Sequence, residues 1–407
     1  MTRWIIFIIV YVLLTAYGFQ AIKTLTKQSW IHYLFLGIAA IVVGNFIIQF
    51  TVAGEGRVLS PAKSYAFGFL LTFMSVNLVL VPILLGEDII RGFYGLYDRF
   101  IAKNDLHVPS RRKFISQIAL GLAAIPFASL LYGMYKGKYN FRVLNYTLHF
   151  EDLPDAFDGY RITQISDIHS GSFDNKEKIE YAVDLVNEQQ SDVILFTGDM
   201  VNNKATEMLP WKDTFSRLNA KDGKFSVLGN HDYGDYVDWN SASEKVQNLE
   251  DLKSIQKEIG FDLLLNEHRY LEKNGEKIAI VGVENWGKGF KQKGDLKKAS
   301  SQINSDDFKI LMTHDPSHWD AEVVNDDYHY HLTLSGHTHG MQFGIEIPGW
   351  IKWSPAKWRY NQWAGIYETL GQYINVNRGF GFLAYPGRVG IWPEITVIEL
   401  KKGVKEA

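Results

Sequence analysis

The chain contains no cysteine. That excludes disulfides, thiolate nucleophiles and cysteine-based zinc sites, and leaves the redox compartment open. Nor is there an excess of either charge: 42 Lys and Arg stand against 45 Asp and Glu, a net charge of −3 at pH 7. No broad basic field is available for a polyanion, so no nucleic-acid partner is expected. A third lack is local. Residues 4–22, 30–50, 65–86 and 114–135 hold no Asp, Glu, Lys or Arg, although the chain as a whole is 21% charged.

Each of these runs is close to the ~20 apolar residues that cross ~30 Å of hydrocarbon as a helix. None shows the outer polar face of a soluble bundle. Residues 1–140 are expected to form a transmembrane region of four helices, with a lipid bilayer as partner, and 141–407 a separate domain. Within the runs His32, Pro82 and Pro126 stand out; His32 falls near a helix end, where an interfacial imidazole is expected. Without intramembrane charge, proton or ion conduction has little support.

Segment 91–113 carries Arg91, Arg99, Lys103, Arg111, Arg112 and Lys113. Positive loops stay cytoplasmic, which directs the fourth helix outward and the following domain out of the cytoplasm. Lys23 and Lys27 fall on the same inner side, whereas Lys136, Lys138 and Arg142 beyond the fourth helix argue the other way. Ser110-Arg111-Arg112-Lys113-Phe114-Ile115 also resembles the twin-arginine export motif, which would make that machinery a partner. A plain basic anchor is the alternative, because the motif is internal and no clear cleavage site follows.

From residue 141 onward the pattern changes to short β-branched runs between amphipathic stretches. Candidate strands are 161–165, 193–197, 225–228, 277–283, 309–313, 331–334, 373–376 and 395–400, with candidate helices 176–189 and 242–259. Strands interleaved with helices indicate a layered α/β domain. There is no long-period repeat and no low-complexity segment.

Five of these strands run straight into Asp, His or Asn. The junctions read Asp167-Ile168-His169, Gly198-Asp199, Gly229-Asn230-His231-Asp232, His314-Asp315 and Gly336-His337-Thr338-His339-Gly340. Ligands bind outside the carboxyl ends of strands in open α/β sheets, and glycines beside the polar groups permit close backbone approach. Singly, each motif has a plain reading as a turn or a structural histidine. His337 and His339, two apart in extended chain, face the same side.

In order and spacing the series resembles the calcineurin-like metallophosphoesterase superfamily, whose pattern is D-x-H, G-D, G-N-H-D, H and G-H-x-H. The resemblance spans residues 141–400. Leu153-Pro154, Asp158-Gly159-Tyr160-Arg161-Ile162, Asn377-Arg378-Gly379-Phe380-Gly381 and Pro393-Glu394-Ile395 resemble the membrane-anchored or exported bacterial subgroup. It implies a layered β-sandwich flanked by helices and a hydrolase of phosphoric esters in a bacterial cell membrane. That subgroup includes homologues linked to UDP-2,3-diacylglucosamine hydrolysis.

The chemistry explains the residue types. A phosphodiester repels nucleophiles, and two divalent ions ~3.5–4 Å apart clamp its oxygens and supply hydroxide at neutral pH. Holding them so close needs a bridging carboxylate, for which Asp199 fits. The resemblance assigns Asp167, His169 and His339 to the first ion with Asp199, and Asn230, His314 and His337 to the second. An oxygen and imidazole set without sulfur suits Mn, Fe or Zn. His231 is assigned as general acid or transition-state stabiliser, with Asp232 orienting its ring; the alternative is that His231 merely positions Asn230.

Beyond the last motif, Trp350, Trp353, Trp358 and Trp363 interleave with Lys352, Lys357 and Arg359. This composition suits a bilayer interface, a head-group pocket using cation–π contact, or packing under the sheet. Trp350, Trp353 and Trp358 are the candidates for substrate or membrane contact. The expectation is a membrane-anchored phosphohydrolase acting on a phosphorylated, lipid-linked substrate. The alternatives are a UDP-2,3-diacylglucosamine-type pyrophosphatase and a non-catalytic sensor or binding module on the same fold.

Overall fold

The computed structural model describes residues 2–51, 58–97, 100, 109–347 and 349–404. Arg99 and Lys103 of the basic segment lie outside them. The chain divides into two compact units, one carrying the four N-terminal helices and the other beginning at Lys136.

The four apolar runs form α1 (Thr2–Leu25), α2 (Ser29–Thr51), α3 (Pro61–Tyr97) and α4 (Pro109–Tyr135). All are long and apolar enough to cross a membrane. Their outward residues are themselves apolar: Trp30, Leu34, Ile38, Ile41 and Ile48 of α2 are all exposed. Such a surface is at home in hydrocarbon rather than water.

The third helix extends beyond the uncharged run that ends at residue 86. It runs 37 residues, continuing past the apolar run through Glu87, Asp88 and Arg91. Arg112 of α4 donates to Glu87 at 2.7 Å and also to Asp88, and reaches Gln20 of α1 at 3.0 Å. Tyr17 of α1 donates to Asp88 at 2.5 Å. The second arginine of the export-like motif is therefore used inside the helical unit, tying three helices together.

In the second unit the predicted strands appear with ends shifted by one or two residues. One six-stranded sheet has the spatial order Arg142–Phe150, Glu394–Lys402, Arg161–Ile165, Val193–Phe196, Lys224–Ser226, Asp262–Leu263. The other runs Gly365–Thr369, Gln372–Val376, Leu332–Ser335, Phe308–Met312, Glu276–Gly282, Glu267–Lys273. Besides the hairpin Ile345–Ile347 and Ile351–Trp353, the strands that the apolar pattern missed, 142–150, 262–263, 267–273 and 365–369, are the four outer strands of these sheets. An edge strand keeps one side in water and is blunted with polar residues, as in Glu-His-Arg-Tyr-Leu-Glu-Lys of Glu267–Lys273, so it shows no apolar run.

Side-chain alternation separates the layers. Val193, Leu195, Ile278, Ile280, Ile310 and Leu332 fill the space between the sheets. Ile194 and Phe196 face outward onto Ile179 and Val183 of helix Lys176–Asn187 and Leu252 and Ile255 of helix Ala242–Glu258. Ala279, Val281 and Leu311 face the other way, toward Trp319 and Val323. Sheets covered on both faces explain the continuous apolar runs of the central strands. At the carboxyl ends the sheets are joined directly. The Gln164 amide donates to the Ser335 carbonyl at 2.8 Å and accepts from Asn375 at 2.7 Å.

Removing the Glu87 charge leaves Arg91 and Arg112 to share Asp88 alone, in a cluster where the Glu87 and Arg112 side chains are only 5% and 12% exposed. Glu87→Gln should lower stability by on the order of 3 kcal/mol, read as an earlier thermal transition in detergent, and Glu87→Gln with Arg112→Gln should recover part of it. An unchanged transition in the single variant would show that the pair is solvent-compensated.

Candidate metal centre

The five polar junctions meet at one rim. Arg161–Ile165, Val193–Phe196 and Lys224–Ser226 are neighbouring parallel strands, so the loops bearing Asp167, His169, Asp199, Asn230 and His231 leave the same end of one sheet. Phe308–Met312 and Leu332–Ser335 are parallel neighbours in the other and deliver His314, His337 and His339. The loops are tied to one another: Asp167 N–H donates to the Gly198 carbonyl (2.9 Å), His169 N–H to Asp199 (3.1 Å) and Gly336 N–H to His314 (2.9 Å).

The backbone is strained where the ligand-type residues sit. Asp167, His169, Asp199, His337 and His339 have φ of 52°, 48°, 59°, 70° and 48°. This left-handed region is uncommon for residues with a Cβ and persists only where surrounding contacts over-determine it. Close approach is equally demanding. A Cβ on Gly336 would collide with Ser166 and the Asp167 carboxylate, and one on Gly229 with the Asp199 carboxylate.

Two groups result, each with donor atoms within 4.8 Å of one another: Asp167, His169 and His339, and Asp199, His314 and His337. Asp199 touches both, with Oδ2 3.0 Å from His314 Nε2 and 3.6 Å from His169 Nε2. Asn230 turns Oδ1 to within 2.8 Å of His337 Nδ1 and gives its amide N–H to Tyr236 at 2.8 Å. His314 Nδ1 lies 2.7 Å from the Thr197 carbonyl, which fixes the proton there and frees Nε2 for the centre.

The arrangement fits divalent cations. Both ring nitrogens of His169 and Nε2 of His339 are buried with no hydrogen-bond partner, a costly state unless an ion accepts the lone pairs. Burial pulls His169 well below the usual imidazole range and His337 down to about 4, which leaves both as neutral donors. Burial also acts on His314, but the Asp199 carboxylate overrides it and pushes that ring up to about 10. A positive charge is therefore demanded between His314 and Asp199, as a proton or as a cation.

His231 lines this pocket, whose volume is about 210 Å³, beside His169, Asp199 and Asn230. Its backbone N–H donates to Asp199 Oδ1 at 2.8 Å. The expected pairing with Asp232 is not present. His231 Nδ1 lies 2.8 Å from the Asn202 carbonyl instead. Asp232 faces away, accepting backbone N–H groups from Asp199, Met200, Val201 and Gly229 at 3.0, 2.8, 3.4 and 2.9 Å. It braces the two loops that carry Asp199 and Asn230.

The aromatic insert divides. Trp350 and Trp358 are exposed, Trp353 is half-buried against Trp358, and Trp363 is buried. None of Trp350, Trp353 or Trp358 lines the metal pocket. Their neighbours do: Tyr360 Oη is 2.8 Å from His337 Nε2, and the exposed Arg359 guanidinium lies over Phe290 at 5.0 Å. Sequence reading also passed over Asp315, 3.4 Å from His337 Nε2, though it stood beside His314 in its motif. Arg388, buried and 3.0 Å from His339 Nδ1, carried no sequence signal, because its contacts arise only from the fold.

Asp232→Asn would set an amide N–H₂ against four converging backbone donors. It should destabilise the domain by on the order of 2–3 kcal/mol and release metal, both measurable by thermal unfolding and elemental analysis. Unchanged stability with only slowed turnover would restore the ring-orienting role.

Comparison with known proteins agrees with this geometry. Residues 160–341 match the family described as calcineurin-like phosphoesterase. Residues 2–138 match "Probable Calcineurin-like phosphoesterase, transmembrane domain". YkuE, an uncharacterized metallophosphoesterase of Bacillus subtilis, is 32% identical over 72% of this chain and 98% of its own length. A metallophosphoesterase of Helicobacter pylori strain J99 is 24% identical over 97% of both chains. A transmembrane protein with a metallophosphoesterase domain from Danio rerio is 26% identical over 67% of this chain and 60% of its own. The chain belongs to the calcineurin-like phosphoesterase family, as a membrane-spanning, metal-dependent phosphoester hydrolase.

Proposed function

We propose that the centre holds two divalent cations, with Asp199 as the shared ligand, and cleaves a phosphoester or pyrophosphate bond of a lipid-linked substrate. The observation that carries this reading is the Asp199 carboxylate, whose oxygens lie against ring nitrogens of both groups. Asp167, His169 and His339 hold one cation with it, and Asn230, His314 and His337 the other. Mn, Fe and Zn suit the oxygen and imidazole donors. Cations in such a site withdraw charge from the phosphoryl oxygens.

The remaining residues act on the substrate. His231, anchored through Nδ1 to the Asn202 carbonyl, presents Nε2 to protonate the leaving oxygen. Arg359, stacked on Phe290 and Tyr360 at the pocket, meets a second anionic group. The lipid-linked character rests on the four membrane spans and on an apolar margin at the pocket that includes Met341 and Leu383. The positive-inside bias of segment 91–113 supports a catalytic domain outside the cytoplasm.

Asp199→Asn should reduce bound metal and lower hydrolysis by orders of magnitude; near-normal activity with two metals retained would overturn the shared-ligand assignment. His231→Gln should retain metal and slow turnover by about 10²–10⁴-fold, with a smaller loss for nitrophenyl esters, whose leaving group needs no proton. An equal loss for every leaving group would instead assign His231 to phosphate positioning. For topology, alkaline phosphatase fused after residue 407 should be active, and protection of the domain from protease in intact spheroplasts would reverse the orientation.

A further inference from the structure

A second cavity, of about 550 Å³, lies beside the edge strand Arg142–Phe150 and shares no lining residue with the metal pocket. Its walls are mainly apolar: Leu144, Tyr146, Ile347, Trp350, Ile351 and Trp392. One wall is the two-stranded hairpin Ile345–Ile347 and Ile351–Trp353. The hairpin and the segment leading into it expose Met341, Phe343, Ile345, Ile347 and Trp350. Phe343, Ile345 and Ile347 alternate along extended chain, the spacing that lines one face. An exposed apolar strip of this kind marks an interaction surface.

Chain length says which surface is near. Gly137 stands two residues beyond Tyr135, the end of α4, and two residues reach no farther than ~7 Å. A Cβ on Gly137 would lie 2.9 Å from the Trp392 ring. The chain thus enters the catalytic unit at a wall of the cavity.

Charge says which lipid. Arg378 at the cavity is neutralised by Glu394 and by Glu346 at 2.5 Å. Arg142 and Lys352 are exposed at the same cavity, and no ion pair to either occurs among the described residues. Arg142, Lys352 and Arg378 stand against Glu346 and Glu394, so the cavity carries one positive charge in excess. The Lys352 ammonium also donates to the Ala364 carbonyl and lies over the Trp363 and Tyr367 rings. A cationic rim beside an apolar chamber complements an anionic head group joined to a hydrocarbon chain.

We propose that this cavity holds one acyl chain of an anionic phospholipid drawn from the bilayer, with the head-group phosphate at Arg142 and Lys352. The site is separate from the metal centre and stands whichever bond that centre cleaves. Lipid bound there would hold the hairpin, and the pocket-lining segment Ala356, Arg359 and Tyr360 that follows it, at the bilayer surface.

The test uses the full-length protein in nanodiscs containing a phosphatidylglycerol with a photoreactive diazirine near the end of one acyl chain. Label should map to peptides covering 142–146, 345–353 and 392 as well as to the four helices. Leu144→Trp, which fills the cavity, and Ile347→Glu, on an exposed strand, should each reduce label in those peptides to the level of helix Lys176–Asn187. Metal content reports that each variant remains folded; if Leu144→Trp loses metal, Ile347→Glu decides. Arg142→Gln with Lys352→Gln should abolish the preference for phosphatidylglycerol over a phosphatidylcholine probe. Label confined to the helices, label on 345–353 alone, or label unaltered by Ile347→Glu would each overturn the proposal.

Discussion

Two carboxylates and four imidazoles are crowded into one buried rim of the fold, and the rest of the catalytic domain is arranged around that constraint. Asp167, His169, Asp199 and His314 are almost wholly buried. Charged and lone-pair-bearing groups so placed repel one another and lose hydration, which is tolerable only when cations or protons lie between them. The left-handed backbone at five of these residues, the missing Cβ at Gly229 and Gly336, and the four N–H groups on Asp232 all serve to hold the crowd in place. Strain at one residue is relieved by moving it, but here each loop is hydrogen-bonded to the next. The strain is therefore shared and retained.

The two sheets contribute unequally and for a reason. A single sheet offers ligands along one line of strand ends. Placing a second sheet face to face adds His314, His337 and His339 from the opposite side, so the donors surround a volume instead of lining an edge. The Gln164 bridge to Ser335 and Asn375 fixes the spacing between the sheets just beneath that volume. The interior apolar layer makes the two sheets adhere; the polar bridge sets their register where the chemistry requires it.

The membrane unit follows a simpler physics. Its helices are apolar on their outer faces, and a dense polar cluster joins Tyr17, Gln20, Glu87, Asp88 and Arg112. Without a hydrophobic force between helices in lipid, satisfied polar contacts supply specificity of packing. The catalytic domain begins without a linker: Lys138, buried three residues after α4, is anchored to Asp174 at 2.5 Å.

Much of this was legible from residue order alone. The four uncharged runs, the central strands and the five ligand-bearing junctions are local features, set by length, periodicity and neighbouring glycines, and each appears where the sequence placed it. What required the tertiary structure were features decided by partners distant in the chain. The four edge strands carry no apolar run because one side of each meets water. Asp232 stands next to His231 in sequence, yet its side chain turns to the Asp199 loop while Asn202 takes the ring. The aromatic insert separated into Trp350 and Trp358 facing outward and Arg359 and Tyr360 facing the metal pocket, a division that composition does not encode. Arg388 reaches His339 across forty-nine positions. Residue types determine which chemistry is available, whereas burial and the packing of distant segments determine which atom of each residue faces which neighbour.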